Sequence, residues 1–319
     1  MRILSGTDIL SVVDVAALID PIAVAMRRVS EGRADLPLRS VIDLGGGNRF
    51  GIMPGSMQDP PGYGAKLISL FPGNPRHGRS SHTGVYVLFD PATGRPTACL
   101  DAAVLTALRT PAASAVATQA LARPDAATLA LIGCGEQAAH HIAAMRAVRP
   151  IRRVLVWGRN AERATAFARA HDAEFLPDIA AACAEANIVC TTTNPTSPLI
   201  TPEMLCPGMH LNAIGASLPL HQEIAPECLP RVHLVADYKP SLEAQAGEVV
   251  EARRRGLIAA DHPIAEIGEV LNGTAPGRRD NAEITLYRSL GIAAQDIAAA
   301  HCILQRAESR GRGTVVQMD

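Results

Sequence analysis

Residues 128–145 read TLALIGCGEQAAHHIAAM, and this stretch decides the fold. An apolar run ends at Ile132, a Gly-Cys-Gly turn follows, and helix-forming residues begin at Glu136. A strand, a glycine-rich turn and a helix in this order are the setting in which G-x-G-x-x-A binds a dinucleotide. The stretch therefore predicts a nucleotide-binding βαβ unit, although the same glycine pattern alone would indicate no more than a turn.

Each position of the motif has a physical role in such a site. Gly133 permits the tight turn, Gly135 lets a pyrophosphate approach the backbone, and Ala138 lets the helix pack close to the strand. The first helical residues, Glu136 and Gln137, offer backbone N–H groups and the positive end of the helix dipole to the phosphates. We predict that these five residues contact the cofactor.

The end of the next apolar run bears on which dinucleotide is bound. Residues 154–157 predict the second strand of the unit, and Gly158, Arg159 and Asn160 follow it. An NAD site usually carries Asp or Glu here to bind the ribose hydroxyls. An arginine instead favours a 2′-phosphate, so the cofactor is predicted to be NADPH at Arg159 and Asn160, with NADH possible. The alternative is an ordinary solvated arginine.

Composition excludes several classes of function. The chain has 319 residues, which is room for two domains, and a net charge of −1, which gives no electrostatic basis for binding nucleic acid or a membrane. No apolar run is long enough to span a bilayer, and the N-terminus lacks the apolar core of a signal peptide. Seven cysteines without a C-x-x-C pair predict a cytoplasmic protein with neither disulfides nor a bound metal.

The hydrophobic pattern changes near residue 102. Before it, a helical segment over 12–31 and several short strands predict an α+β region; after it, a helix over 102–121 leads into alternating strands and helices. The alternation predicts an α/β fold with a Rossmann-type, doubly wound parallel sheet. Near the end, a strand, a Ser-Leu-Gly turn and a long helix are expected, with a mobile tail from Gly311.

Several segments together resemble the ornithine cyclodeaminase/mu-crystallin family. They are GIMPG (51–55), GAKLISLFPGN (64–74), LTALRTPAASAVAT (105–118), IGCGEQA (132–138), TTT (191–193), HLNAIGASLP (210–219) and ITLYRSLGIAAQDIAAA (284–300). The resemblance implies a homodimer with a substrate-binding and dimerisation domain over 1–112 and 300–319, and a Rossmann domain over 113–299. It also implies hydride exchange between a nicotinamide and the α-carbon of an amino acid or its imine.

The resemblance also implies roles for individual residues. Lys66 matches the family's active-site lysine, and Arg109 and Arg39 match arginines that bind the substrate carboxylate. The lysine stands out in a chain whose only other lysine is Lys239. Without the family, a surface lysine and a structural ion pair at a helix would be the simpler interpretations of Lys66 and Arg109.

Further contacts follow from the same motifs. Met53, His82 and Ser217 are predicted to border the substrate, although a loop histidine is the simpler interpretation of His82 and Ser217 could equally be a backbone hydrogen-bonding group. The remaining predicted cofactor contacts are Thr110, Thr191, Thr192, Thr193, Ala216 and Gly291.

The sequence departs from that of the cyclodeaminases at two positions, and these departures limit which reaction is expected. Ser217 stands where those enzymes have a catalytic aspartate, and Gly51 where they have a substrate-binding glutamate. A site without these carboxylates lacks a base and a counter-ion for the δ-ammonium group of ornithine. The sequence therefore predicts an NAD(P)H-dependent reductase of small cyclic α-imino acids. The alternatives are an ornithine cyclodeaminase or alanine-dehydrogenase-like deaminase, and a non-catalytic binding protein of the mu-crystallin kind.

Overall fold

The structure is a computed structural model that describes residues 1–216 and 218–318. The chain divides into two compact units. Unit 1 comprises Met1–Arg109 and Ile292–Asp319, and unit 2 comprises Thr110–Gly291. The predicted domain junctions were at residues 112 and 299. The observed second junction lies earlier because the C-terminal helix packs on unit 1 from its first turn, where Ala293 lies against Gly55.

Unit 1 contains a mixed, mostly antiparallel sheet. Its strands are β1 (Arg2–Leu4), β2 (Ala34–Asp35), β3 (Ser40–Gly45), β4 (Asn48–Gln58), β5 (Pro61–Leu70), β6 (His82–Phe89), β7 (Pro96–Asp101) and β16 (Thr314–Val315). Their order is β16-β1-β7-β6-β5-β4-β2, and β3 also pairs with β4. The Gly-Gly-Gly run at 45–47, all with positive φ, allows the turn that joins β3 to β4.

Three helices lie in unit 1, and a fourth begins there. They are α1 (Gly6–Val12), α2 (Ala16–Ser30), α10 (Ala293–Ser309) and the first part of α3 (Ala102–Leu121). The predicted helix over 12–31 corresponds to α2, whereas Val12 ends a separate short helix. The buried stripe of α2 includes Leu18, Ile22 and Met26, spaced by four residues as a core-facing helix requires.

The tail expected to be mobile is instead part of the sheet. Thr314 pairs with Ile3 in β1, and the amide of Val316 donates to the carbonyl of Met1. Strand formation explains the difference, because pairing gives the backbone of the tail the hydrogen bonds that a free tail would seek from water.

Unit 2 contains an eight-stranded parallel sheet. Its strands are β8 (Thr128–Ile132), β9 (Arg153–Trp157), β10 (Glu174–Phe175), β11 (Ile188–Thr191), β12 (His210–Ala213), β13 (His233–Ala236), β14 (Ala265–Glu266) and β15 (Thr285–Arg288). Its helices are the rest of α3, α4 (Glu136–Val148), α5 (Ala161–Ala170), α6 (Ile179–Glu185), α7 (Lys239–Gln245), α8 (Gly247–Arg254) and α9 (Ile267–Asn272).

The strand order of this sheet is β10-β9-β8-β11-β12-β15-β13-β14. From β8 the chain first adds strands on one side and then returns to add β11 and the rest on the other. Ligands of such sheets bind at the carboxyl ends of the strands where the order reverses, here between Ile132 and Thr191. The predicted α/β class, with a Rossmann-type sheet and a separate α+β unit, is confirmed.

Within the described residues, neither a membrane-spanning helix nor a metal-binding cluster is found. No single helix has the length and hydropathy to cross a bilayer; α1 and α2, bent by 92°, pass that test only as a pair. No group of three or more His, Cys, Asp or Glu side chains within 1–216 and 218–318 is arranged to hold a metal ion.

Candidate active site

A row of three side chains crosses the sheet of unit 1. In neighbouring strands, Met53 of β4 pairs with Lys66 of β5, which pairs with Tyr86 of β6. Residues directly opposite one another in a sheet project on the same face. All three are buried, and Lys66 is only 1% exposed. The strand pattern therefore places a lysine inside an otherwise apolar layer, where an unpaired ammonium would be strongly unfavourable.

Helix α10 supplies the counter-charge for this lysine. Lys66 Nζ lies 2.9 Å from Oδ2 and 3.1 Å from Oδ1 of Asp296. It also donates to Thr106 Oγ1 of α3 at 3.3 Å. Asp296 is fully buried, so the two charges form an ion pair shielded from water.

The same carboxylate holds the predicted substrate arginine. Arg109 Nε donates to Asp296 Oδ1 at 2.9 Å, and Nη1 donates to Gln295 Oε1 at 2.9 Å. No hydrogen bond involves Nη2 within 1–216 and 218–318. Two adjacent residues of α10 therefore hold two of the three guanidinium nitrogens and leave Nη2 for another ligand.

The charges in this cluster favour an anion. Lys66, Arg109 and Asp296 together carry one net positive charge, and Arg39 is close enough to act on Lys66 electrostatically. Burial, followed by the charge of Arg109, lowers the pKa of Lys66 to about 8, although Asp296 opposes the shift. Burial, and to a lesser degree Asp296, raises the pKa of Tyr86, which keeps its phenol neutral.

The remaining predicted substrate residues are less closely grouped. His82 begins β6 on the same face as Tyr86 but four residues away, about 13 Å along the strand. Its Nδ1 is 2.9 Å from Ser81 Oγ, as expected for the loop histidine of the alternative interpretation. Ser217 lies outside the described residues. The site predictions for Arg39, Met53 and His82 stay predictions.

The glycine motif of unit 2 has the geometry that a pyrophosphate requires. Gly133 has φ +119°, and a Cβ there would lie 2.7 Å from Thr192 Oγ1. By contrast, a Cβ on Gly135 would meet no atom within 4 Å. Gly135 caps α4 without a side-chain hydrogen bond, so the N–H groups of Glu136 and Gln137 have no side-chain cap. The residues present therefore fit a dinucleotide, with open space at Gly135 and donors at the start of α4.

Two substitutions separate the roles of these glycines. We expect Gly135→Val to fold with nearly unchanged Tm but to lose cofactor affinity at least tenfold, because the new side chain occupies the space left for the pyrophosphate. Gly133→Val should lower Tm as well, because of its positive φ and the contact with Thr192. Thermal melts and cofactor titration by fluorescence measure both effects. Unchanged affinity in Gly135→Val would show that the phosphates bind elsewhere.

The end of β9 carries the two residues predicted to select the cofactor. Arg159 is exposed, and no ion pair or hydrogen bond of its side chain is found in the described part of the chain. In contrast, Arg153 at the start of this strand bonds Glu174 and Glu185. Asn160 caps α5, because its Oδ1 accepts from the amide of Arg163 at 2.8 Å. Helix capping is therefore a sufficient structural reason for Asn160.

A buried glutamate joins two loops at the carboxyl edge of this sheet. Glu223 Oε1 accepts from the amide and hydroxyl of Thr193 at 2.8 and 2.7 Å. Its Oε2 accepts from the amides of Gly215 and Ala216 at 2.7 and 3.3 Å. Burial raises the pKa of Glu223, against the effect of these hydrogen bonds. Thr193 and Ala216, two predicted cofactor contacts, are thus held by one side chain.

Other predicted cofactor residues lie along or near the same edge. Thr191 ends β11 with a buried side chain, and Thr192 follows, its amide donating to Ile132. The amide of Gly291 donates to Asp237 at 2.7 Å. Thr110, the first residue of unit 2, is nearly buried within α3. The cofactor contacts of all these residues stay predictions.

Sequence reasoning missed Asp296 and Glu223. Asp296 lies in AAQDIAAA, where a single acid interrupts an apolar, alanine-rich helix over 293–300. An acid on a buried helix face needs a cation or hydrogen-bond donors, so this pattern contains a usable signal. Glu223, in HQEI, stands in no comparable pattern.

Known proteins resemble this chain along nearly its whole length. The model of the ornithine cyclodeaminase/mu-crystallin family matches residues 2–311. A Δ1-pyrroline-2-carboxylate reductase of Bacillus cereus is 33% identical over 99% of this chain and 100% of its own length.

Two solved structures are also similar. One is a Thermococcus litoralis Δ1-pyrroline-2-carboxylate reductase in complex with NADH and L-proline, with a TM-score of 0.95 and 30% identity over 99% of this chain and all of the other. The second is an archaeal alanine dehydrogenase dimer with bound NAD, with a TM-score of 0.93 and 30% identity over 100% and 99% of the two chains. Together with the full-length family match, they show that this chain belongs to the ornithine cyclodeaminase/mu-crystallin family.

Proposed function

We propose that this protein is an NAD(P)H-dependent reductase of small cyclic α-imino acids, such as Δ1-pyrroline-2-carboxylate giving L-proline or the six-membered homologue giving L-pipecolate. The observation that carries the proposal is the buried cluster of Lys66 and Arg109 on Asp296. Its net positive charge suits a substrate that has one carboxylate. The Bacillus and Thermococcus relatives, which are reductases of this kind, support the same substrate class.

The chemistry follows from the groups present. A nicotinamide cofactor held at the glycine motif would supply the hydride for the imine carbon, and a proton delivered to the nitrogen would complete the conversion of C=N to CH–NH. Arg109, through Nη2, binds the carboxylate of the substrate by a charge-assisted hydrogen bond. Lys66, whose pKa is lowered to about 8, can give up a proton near neutral pH. Burial of both groups keeps water from weakening these interactions.

The competing deaminase function receives less support from the residues. Gly51 offers no carboxylate, and it lies in β4 on the same face as Met53. A δ-ammonium group would there meet an apolar strand and a cationic cluster, which is unfavourable for a diamino acid. A purely binding function would not need an ionisable lysine at the cluster.

A substrate panel tests the proposal. Purified protein is mixed with NADPH or NADH and with Δ1-pyrroline-2-carboxylate, Δ1-piperideine-2-carboxylate, or pyruvate and ammonia, and oxidation of the cofactor is followed at 340 nm. In a separate assay the protein is mixed with L-ornithine and NAD+, and proline and ammonia are measured directly. We expect turnover of the cyclic imines and no proline from ornithine. Steady production of proline and ammonia from ornithine, or no imine turnover with either cofactor, would contradict the proposal.

We further propose that NADPH is preferred to NADH, with Arg159 as the residue that binds the 2′-phosphate. We expect Arg159→Gln to weaken NADPH binding about tenfold and to change NADH binding little, because only NADPH loses a charge-assisted hydrogen bond. Arg163→Gln, on the adjacent helix, is the matched control. Titration of both cofactors measures the effect, and equal losses for NADPH and NADH in Arg159→Gln would remove Arg159 from this role.

We also propose that the protein is a cytoplasmic homodimer that uses strand β3. The seven free cysteines favour a reducing compartment, and the similar alanine dehydrogenase is a dimer. Within the described residues β3 pairs only with β4, and its side chains Val41, Ile42 and Leu44 are 41–51% exposed. An apolar edge strand of this kind is normally covered.

A charge on this strand tests the dimer. We expect Ile42→Asp to convert a dimer into a monomer in sedimentation velocity, because the carboxylate would be desolvated in the interface. Thr83→Asp, on an exposed position of β6, is the control. A dimer that persists unchanged at low concentration would place the interface elsewhere.

A further inference from the structure

Two of the proposed substrate-binding side chains contact the same buried carboxylate. This carboxylate lies on a third element, which is neither the strand nor the helix that carries those two side chains. Lys66 is on β5 and Arg109 on α3, whereas Asp296 is on α10, 187 residues beyond Arg109. Both oxygens of Asp296 lie within 3.1 Å of Lys66 Nζ, and Oδ1 also accepts from Arg109 Nε. The charge of Arg109 disfavours the ammonium form of Lys66, and the carboxylate of Asp296 favours it.

We propose that Asp296 is a positioning residue, which fixes the orientation of the Lys66 ammonium and the Arg109 guanidinium and keeps Lys66 protonated for the reaction. This proposal rests on the proposed reductase function for its catalytic consequence. The electrostatic part, that Asp296 determines the charge state of Lys66, can be tested without any substrate.

The occupied donors of Arg109 determine the orientation of its guanidinium. Asp296 and Gln295 accept from Nε and Nη1 of Arg109, two of the three nitrogens of the planar guanidinium, and so fix its plane. Because a guanidinium binds a carboxylate best in its own plane, the direction of approach of the substrate follows from the position of α10. Thr106 adds a third contact that limits rotation of the Lys66 ammonium.

The charges around Lys66 act on its pKa in opposite directions. Burial and the charges of Arg109 and Arg39 all lower the pKa of Lys66, and Asp296 alone raises it. Tyr86, its cross-strand neighbour, is held neutral and contributes no charge. Removing the carboxylate therefore leaves only influences that favour neutral lysine, so the deprotonation of Lys66 must move to lower pH.

The composition of the chain allows this to be measured directly. Lys66 and Lys239 are the only lysines, so protein labelled with [ε-13C]lysine gives two ε-carbon signals, and Lys239→Arg assigns them. Lys239 bonds Glu269, and its signal is an internal reference. We expect the Lys66 signal of the wild-type protein to titrate near pH 8 and that of Asp296→Asn about 1 pH unit or more lower, the usual effect of removing one nearby opposite charge.

Activity gives a second, separate result. In Asp296→Asn the alkaline decline of kcat/KM for the cyclic imine should move to lower pH by the same amount as the Lys66 signal. The matched control is Asp101→Asn, which removes a carboxylate that caps α3 but leaves an equally good cap. Neither the Lys66 titration nor the pH profile should move in this control.

The two measurements test the role of Asp296 and the reductase function separately. A Lys66 titration that is unchanged in Asp296→Asn would overturn the positioning role even if the enzyme reduces cyclic imines. A shifted titration in a protein that reduces no imine would support the electrostatic role and reject the function. If Asp296→Asn fails to fold, Asp296→Glu keeps the charge: a Lys66 midpoint close to the wild type supports the proposal, and a midpoint 1 unit or more lower overturns it.

Discussion

Replacement of Lys66 by Met should lower kcat for cyclic imines about 100-fold or more, the usual contribution of a general acid. The methionine fills a similar volume in the row between Met53 and Tyr86, so the sheet should persist. Loss of a group used only in the transition state lowers kcat, whereas loss of uniform binding raises KM alone. Lys239→Met is the matched control, since it removes the only other lysine.

The pKa of Lys66 also determines how the effect of Lys66→Met should change with pH. Lys66 is an ammonium below its pKa of about 8 and neutral above it, whereas an ordinary lysine would stay charged to about 10.5. The ratio of wild-type to Lys66→Met kcat/KM should therefore be largest below pH 8 and fall as pH rises through it. Ionisation of the substrate cancels in this ratio. A constant ratio across pH 6–10, or an unchanged kcat, would leave Lys66 without a role in proton transfer.

Arg109→Leu should lower kcat/KM for the imino acid about ten- to hundredfold while the KM for the cofactor changes little. The substrate carboxylate would lose a charge-assisted hydrogen bond and face a leucine. Arg109 is not part of the predicted cofactor phosphate site, Gly133 to Ala138, so the substitution should leave cofactor binding unchanged. Because the charge of Arg109 lowers the pKa of Lys66, the same variant should also raise the pH at which Lys66 titrates.

A control separates this effect from general damage to unit 1. Arg28 is also ion-paired, to Asp59 and Glu31, but is partly exposed. Arg28→Leu should leave both kinetic constants close to the wild type. The test is steady-state kinetics of the wild type, Arg109→Leu and Arg28→Leu, with the imino acid and the cofactor varied in turn. Normal use of cyclic imines by Arg109→Leu would place the carboxylate-binding group elsewhere and leave the pair with Asp296 as a structural contact.

The parts of the fold that depend on local pattern could be predicted from the sequence. The apolar runs that end at Ile132 and at Trp157 form strands as expected, and the helix at 102–121 has the expected bounds. Each is an apolar run ended by Gly, Pro or a charged residue, which is a signal contained within a few positions. The Rossmann class and the family followed from these elements and from the motifs around them.

The contacts that complete the candidate site could not be predicted in this way. Asp296 lies 230 residues from Lys66, and only the packing of α10 on β4 and β5 brings them together. Glu223 joins two loops by accepting hydrogen bonds from backbone amides. Almost any residue can donate such a bond, so the sequence does not reveal it. The strand β16 was missed because a two-residue strand is too short to have a period.

The division of unit 1 between the two ends of the chain has a consequence for biosynthesis. Unit 2 is one continuous segment, Thr110–Gly291, and can fold as soon as it leaves the ribosome, whereas unit 1 must wait for α10 and β16. Until then the nascent β-sheet holds Lys66 with no carboxylate partner, and β1 with an open edge. A translation product interrupted before residue 293 would therefore have a complete parallel sheet but no counter-ion for its buried lysine.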